Sequence, residues 1–377
     1  MNDIPSSFRQ IRSEVTADGH LRVSLAEVAM PRPGADEVLV RVRASPINPS
    51  DLGLLYAAAD LATARREGSG ADAALVADVP AAAMPAMRGR LGQSMAVGNE
   101  GAGVVVAAGD GAAAQALIGK TVAAFGGEMY AEYRCLKAAQ CMPVPDELDP
   151  RDAASCFVNP LTALSMPETM RMDGHKALVH TAAASNLGRM LNRICLADGI
   201  PLISIVRKPE QEALLRQEGA TIVLDSSDAD FERKLIEAIA ETGATLAFDA
   251  IGGGPLGGRI LMAMEVAQSR GAAYSRYGSA IHKQVYVYGR LSNAPIEIPP
   301  AVGLAWGMGG YLLTYFLQRI DADARRRLQG RVLAELKTTF ASHYSHEISF
   351  EQVLDVATAQ AANRKATGEK YLIRSGH

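Results

Sequence analysis

Residues 177–197 read ALVHTAAASNLGRMLNRICLA, and this stretch decides the fold. Residues 177–181 have the short apolar run of a buried strand, and 187–197 carry apolar residues at helical spacing. Between them lie Ala182, Ala183, Ala184 and Ser185, all small. A strand that turns through small residues into a helix exposes backbone N–H groups at the helix N-terminus with no side chain in the way, which is what a pyrophosphate requires. Gly188 falls where close helix-to-strand packing leaves no room for a Cβ. Only one glycine is present, so the stretch is not a GxGxxG fingerprint, and a plain tight strand-to-helix turn remains open as the alternative.

Downstream the rhythm repeats. The sequence predicts strands at 202–206 (LISIV), 221–224, 245–250 (TLAFDA) and 284–288 (QVYVY), and helices at 209–218, 230–241 and after Pro255. Pro209 opens its helix at the first turn, where a missing N–H costs nothing. Continuous apolar strands alternating with helices indicate a parallel sheet covered on both faces, and right-handed crossovers make it doubly wound. About twenty residues beyond the turn, a carboxylate would bind the ribose hydroxyls of NAD. This chain has Arg207 and Lys208 there instead. A guanidinium binds a 2′-phosphate with two charge-assisted hydrogen bonds where a carboxylate would repel it, so the expected cofactor is NADP(H). An exposed Arg-Lys pair in a loop is the plainer alternative.

Upstream of residue 158 the chain is rich in Gly, Pro and β-branched residues, with short alternating runs at 37–44 (EVLVRVRA), 101–108 (GAGVVVAA) and 121–125. These predict an all-β unit. The Ala- and Met-rich stretch 57–96 breaks the pattern and predicts a helical insertion or a mobile loop. The chain closes on EKYLI, another strand. The expected fold class is α/β, with residues 1–158 and 335–377 forming a β-rich domain and 159–334 a doubly wound domain.

Composition narrows the function classes. The chain has 377 residues, 48% hydrophobic and 21% charged, which suits two globular domains rather than a disordered chain. A net charge of −3 argues against nucleic acid or an anionic membrane surface as the main partner. Arg325-Arg326-Arg327 reads as the solvated face of a helix. Four cysteines without a CxxC are too few for a disulfide scaffold. The first residues lack the apolar core of a signal peptide, and the longest apolar run, 302–317, contains four glycines and is too short to span a membrane. A cytoplasmic protein acting on a small molecule is the expectation. His343 and His346 could share a helical face, a weak metal signal.

Seven motifs occur in order: INPSDL (47–52), GNEGAGVV (98–105), NPLTAL (159–164), HTAAASNLG (180–188), ISIVRKPEQ (203–211), FDAIGG (248–253) and TGEKYLI (367–373). Together they resemble the medium-chain dehydrogenase/reductase superfamily, in its zinc-free quinone oxidoreductase and 2-enoyl thioester reductase branch. The resemblance implies a GroES-like β-rich catalytic domain, a Rossmann cofactor domain and an active-site cleft between them. Where zinc-dependent relatives carry a Cys motif and a His, this chain has Asn48 to Asp51 and Asn99; Cys156 falls near the third ligand position. One thiolate without a His partner does not make a zinc site, so no metal is expected. Without a Lewis acid, simple ketones are hard to polarise, whereas quinones and alkenes conjugated to a carbonyl are already electrophilic.

The resemblance implies roles for particular residues. Asn48 and Tyr56 are the catalytic candidates, Asn48 orienting the nicotinamide or a substrate oxygen and Tyr56 giving a proton; a turn Asn and a packing aromatic are the alternatives. The cofactor candidates are Asn48, Asn159, Thr162, Ala184, Ser185, Asn186, Leu187, Gly188, Arg207, Lys208, Gly252, Tyr288 and Gly289. The cluster Tyr274, Tyr277, His282 and Lys283 suggests a substrate cleft or an interface. The implied function is NADPH-dependent reduction of quinones or α,β-unsaturated carbonyl compounds by metal-free hydride transfer. A zinc-free alcohol or carbonyl dehydrogenase and a non-catalytic NADPH-binding protein are the competing readings. A homodimer is expected, with the apolar run 309–317 as an edge strand across a two-fold axis.

Overall fold

Six parallel strands run through residues 159–332 in the spatial order Ile222–Asp225, Leu202–Val206, Leu178–His180, Leu246–Asp249, Lys283–Val287 and Trp306–Gly310. The strand Leu202–Val206 is buried at every position, as a strand covered on both faces must be. Helices Asn186–Asp198, Pro209–Gln217, Phe231–Thr242 and Leu256–Gln268 connect the strands. Chain order reverses at Leu178–His180, whose two neighbours lead away in opposite directions. This is the doubly wound Rossmann arrangement, and its switch point lies at the carboxyl ends of Leu178–His180 and Leu246–Asp249. The structure, a computed structural model, describes residues 4–375. It divides into this unit, Asn159–Val332, and a second built from the chain up to Val158 together with the chain from Leu333.

The other unit is β-rich. A five-stranded sheet contains Ser7–Val15 and His20–Ala29; a seven-stranded one is centred on Glu37–Ile47, flanked by Glu100–Ala108, Tyr133–Lys137 and Tyr371–Arg374. Tyr371 lies opposite Ile47 in the antiparallel register, so the end of the chain is stitched to the residue before Asn48. Ile11, Leu21, Leu55, Leu75 and Val353 fill one core of this unit.

Two expectations are corrected. The stretch 57–96 is not a helical insertion: Asp60–Glu67 and Ala74–Asp78 are antiparallel strands of the five-stranded sheet, and only single turns of helix follow, over residues 81–90. Ala74–Ala77 are all buried, so no alternation of polar and apolar residues betrays the strand. The run 309–317 is not one strand either. The edge strand Trp306–Gly310 ends within it and helix Leu313–Arg319 begins. Among the described residues no helix is long and apolar enough to cross a membrane.

Candidate functional site

In the β-rich unit, chemistry gathers where helix Pro49–Leu55 leaves strand Glu37–Ile47. Asn48 is the N-cap, with Pro49 at the first helical position. Its backbone N–H donates to Asp51 Oδ2 at 2.8 Å, and Asn99 N–H donates to Asp51 Oδ1 at 2.8 Å. The Asn48 carboxamide turns inward and donates through Nδ2 to Glu100 Oε1 at 2.8 Å. The other oxygen of Glu100 accepts the backbone N–H groups of Phe157 and Val158, both at 2.9 Å. A fully buried carboxylate thus meets three donors.

Lys370, 8% exposed, lies just before strand Tyr371–Arg374. Its Nζ donates to Ser155 Oγ at 2.8 Å and to Ser342 Oγ at 3.3 Å. Ser155 Oγ is 2.8 Å from the Tyr344 hydroxyl, and the ammonium stands 5.3 Å from that ring's centre. Asn48, Pro49, Leu52, Ala362, Lys370 and Tyr371 line a cleft in this unit. Burial shifts all three charged groups toward neutrality. Desolvation pushes Asp51 up to about 7 against its two backbone donors, and raises Glu100 against Lys370 and its own three donors. Desolvation also pushes Lys370 down to about 8, opposed by the charges of Glu100 and Asp51.

Tyr56 requires a correction. It is 2% exposed and belongs to the apolar core with Leu52 and Leu55. It follows a helix of only seven residues as its C-cap, and its ring joins the buried side. Its hydroxyl is buried and without a partner among the described residues, and burial drives its pKa far above the phenol range. That is a packing position, not the surface of a cleft. His343 and His346 do not share a helical face, because His346 begins strand His346–Ile348 and stacks on Tyr371. Among the described residues no three His, Cys, Asp or Glu side chains are gathered to hold a metal ion, and the Cys156 thiol is buried and pushed well up.

In the Rossmann unit, Ser185 caps helix Asn186–Asp198, its Oγ accepting the Gly188 N–H at 3.1 Å. Asn186 and Leu187 are the first residues of that helix, directly after Ala184 and the cap Ser185. A Cβ on Gly188 would lie 2.3 Å from the Ala183 carbonyl oxygen, so only glycine lets the helix start this close to the strand. Across the switch point, Thr181 Oγ1 donates to Asp249 Oδ1 at 2.7 Å and accepts the Ala250 N–H at 2.8 Å. Asp249 also accepts from Gly252 N–H, and Gly252, at φ +68°, would bring a Cβ within 2.2 Å of the Gly289 carbonyl oxygen. Tyr288 bonds His180 Nε2 at 2.8 Å; burial pushes that histidine down to about 3, so it is neutral. Arg207 and Lys208 are exposed at the carboxyl end of Leu202–Val206. Asn159 and Thr162 are buried on helix Val158–Met172.

The structure therefore groups Ala184–Gly188 and Gly252 at the two turns that flank the switch point, with Arg207 and Lys208 ending the next strand. It groups Asn48 with four residues that sequence reasoning had not assigned: Asp51, Glu100, Ser155 and Lys370. The available signals were acidic residues inside apolar motifs, INPSDL and GNEGAGVV, and a lysine set directly before an apolar strand in TGEKYLI. The turn in the Rossmann unit fits a dinucleotide: small residues precede a capped helix N-terminus at the switch point, and cationic side chains follow the second strand.

The alcohol dehydrogenase GroES-like domain family matches residues 34–146. A quinone oxidoreductase of Pseudomonas aeruginosa is 29% identical over 159 residues, 41% of this chain and 49% of that protein. A mitochondrial enoyl-[acyl-carrier-protein] reductase of Candida glabrata is 24% identical over 222 residues, 53% of this chain and 52% of that protein. The chain spans about half the length of these curated relatives. Among solved structures, a protein of Mesorhizobium loti assigned as an NADPH:quinone reductase superposes with a TM-score of 0.74 at 25% identity, covering 99% of this chain and 100% of that one. A mycobacterial protein complexed with NADPH shares the fold, with a TM-score of 0.65 at 18% identity over 98% of this chain and all of that one. Residues 34–146 thus match the alcohol dehydrogenase GroES-like domain family, and the chain is similar to quinone oxidoreductases and enoyl reductases.

The buried Asp51 gives a pH-dependent prediction. Its folded pKa, about 7, lies above the ordinary 3.8, so its contribution to stability is full below about pH 4 and lost as pH rises through 7. Asp51→Asn carries no charge at any pH. In urea unfolding the stability of the native chain relative to Asp51→Asn should therefore decline from pH 4 to pH 8. A difference that is flat across that range would contradict the burial argument.

Proposed function

We propose that this chain is an oxidoreductase that uses NADPH to reduce quinones or α,β-unsaturated carbonyl compounds by hydride transfer, without a metal ion. The observation that carries the reading is the capped helix start at Ser185–Gly188, at the switch point, with Arg207 ending the neighbouring strand. The GroES-like domain match supports the reaction class, and the relatives named as quinone oxidoreductase and enoyl reductase support the two acceptor types.

In this reading Ala184, Ser185, Asn186, Leu187 and Gly188 hold the diphosphate on backbone N–H groups at the positive end of the helix. Arg207 grips the 2′-phosphate through its planar fork, and Lys208 adds a second positive charge. Gly252 and Gly289 keep the far side of the switch point free of side chains; Tyr288, bonded to His180, closes it. Asn159 and Thr162 face the nicotinamide. When bound, the reduced nicotinamide supplies the hydride. Asn48 orients the substrate oxygen, its own geometry fixed by the hydrogen bond to Glu100. The donors in the β-rich unit are amides, hydroxyls and one ammonium, which suit an acceptor that needs hydrogen bonds rather than a Lewis acid. The partner beyond the small-molecule substrate is a second copy of the chain. Among the described residues the edge strand Trp306–Gly310 pairs on one side only, and Leu304, Leu312 and Tyr315 near it are exposed.

Three measurements check this. NADPH oxidation followed with a quinone, an enone and an enoyl thioester should respond to at least one of them; no turnover with all three overturns the proposed reaction. Arg207→Asp should weaken NADPH binding at least tenfold relative to NADH, by fluorescence titration, and an unaltered ratio removes Arg207 from the 2′-phosphate site. Sedimentation should show a dimer, and a monomer at micromolar concentration would exclude the proposed assembly.

A further inference from the structure

Lysine is seldom buried unless a carboxylate pairs with it. Lys370 is buried, yet the groups within hydrogen-bond reach of its Nζ are two hydroxyls, Ser155 and Ser342, and it forms no ion pair among the described residues. Its two strongest electrostatic neighbours, Glu100 and Asp51, act through space, and both are committed to backbone donors. The same side chain lines the cleft that Asn48 lines. Behind it the hydroxyls continue, Ser155 to Tyr344 at 2.8 Å. A purely structural lysine gains little from such partners, whereas a proton donor needs this: one side on a cleft, the other on groups that can resupply it.

We propose that Lys370 is the acid that protonates the reduced substrate in the cleft beside Asn48, resupplied through the Ser155–Tyr344 hydroxyl pair. The proposal rests on the reductase reading above and names the proton donor that reading lacks once Tyr56 is assigned to the core. The balance is simple. Hydride from the reduced nicotinamide dinucleotide forms a C–H bond at the β-carbon of an enone, the C=C π pair moves to oxygen, and an enolate results. One N–H bond of the Lys370 ammonium then breaks, its proton completes the enol or the α-C–H bond, and a neutral amine remains. That amine recovers a proton from the Ser155 hydroxyl, which Tyr344 and solvent refill. Substrate, reduced dinucleotide and one proton become saturated product and oxidised dinucleotide.

The neighbours set the pH range. Glu100 and Asp51 hold the proton on Lys370, and desolvation releases it. Lys365 and Glu369 line the same cleft, while Arg151 shares the Tyr344 ring with Lys370 from 5.3 Å. Enone turnover should fall as pH rises past about 8, where the acid form is lost. An electron-poor quinone tests the same residue differently, because its hydroquinone anion is stable in water and needs no acid.

The experiment compares Lys370→Met with the native chain on both acceptors, with nucleotide binding followed by fluorescence. The expected result is a loss of enone turnover roughly 10²- to 10³-fold greater than the loss with the electron-poor quinone, the scale of general acid catalysis. Equal losses on the two acceptors overturn the proposal. A cofactor-free arm titrates 4-nitrophenol, an enolate mimic, by absorbance: the native chain should bind the phenolate, and Lys370→Met should bind it at least tenfold more weakly. Unaltered phenolate binding also overturns the proposal. If the native chain reduces neither acceptor, the reductase reading fails, and the nitrophenol arm still decides whether Lys370 faces an anion in the cleft. Should Lys370→Met not fold, Ser155→Ala keeps the lysine and breaks its resupply. It should then slow enone turnover with an increased solvent isotope effect, and an unaltered isotope effect counts against the relay.

Discussion

One close approach governs what the Rossmann unit can offer a ligand. Helix Asn186–Asp198 begins so near its strand that a Cβ on Gly188 would overlap the Ala183 carbonyl oxygen, at 2.3 Å. With glycine there, the turn can be made of Ala182 to Ser185 and the helix end can face the switch point without obstruction. Ser185 Oγ satisfies the Gly188 N–H and holds the first turn in place. Across the sheet the same economy recurs: Gly252 approaches the Gly289 carbonyl and Gly289 the backbone of Ala250, and Asp249 ties the two turns together through Thr181. The motif departs from the glycine-rich form of such turns, yet the space it leaves follows from the same steric rule.

The β-rich unit answers to a different constraint, the cost of a buried charge. Glu100 is fully buried, and three donors meet its oxygens: the Asn48 carboxamide and the N–H groups of Phe157 and Val158. Removing water from a carboxylate costs several kcal/mol, and such an arrangement survives only where each oxygen is met. Asn48 is thereby locked in rotation, and Lys370 is drawn into the interior without a direct ion pair. The polar residues of the cleft answer to this charge, while Leu52, Ala362 and Tyr371 beside them belong to the apolar core.

Much of the Rossmann unit was legible because its strands are covered on both faces. LISIV at 202–206 coincides with the observed strand, and the following helix differs by one residue at its end. The same buried quality hid Ala74–Asp78: an alanine-rich strand without polar alternation reads as helix. The burial of Tyr56 is not legible in the sequence, because distance along the chain from Asp51 says nothing about which side of a seven-residue helix end faces the core. Lys370 carries no local signal beyond its place before an apolar strand. Its place beside Asn48 comes from the pairing of Tyr371 with Ile47, a contact across more than three hundred residues that no local pattern announces.

In the proposed function a nicotinamide dinucleotide bearing a 2′-phosphate docks on the turn after Leu178–His180. A crystal structure of the chain with NADPH tests it most directly. Diphosphate density should lie at the N-terminus of helix Asn186–Asp198, with the 2′-phosphate within hydrogen-bond distance of the Arg207 guanidinium. A nucleotide bound elsewhere, or bound at that turn with its adenosine ribose turned away from Arg207, would contradict it.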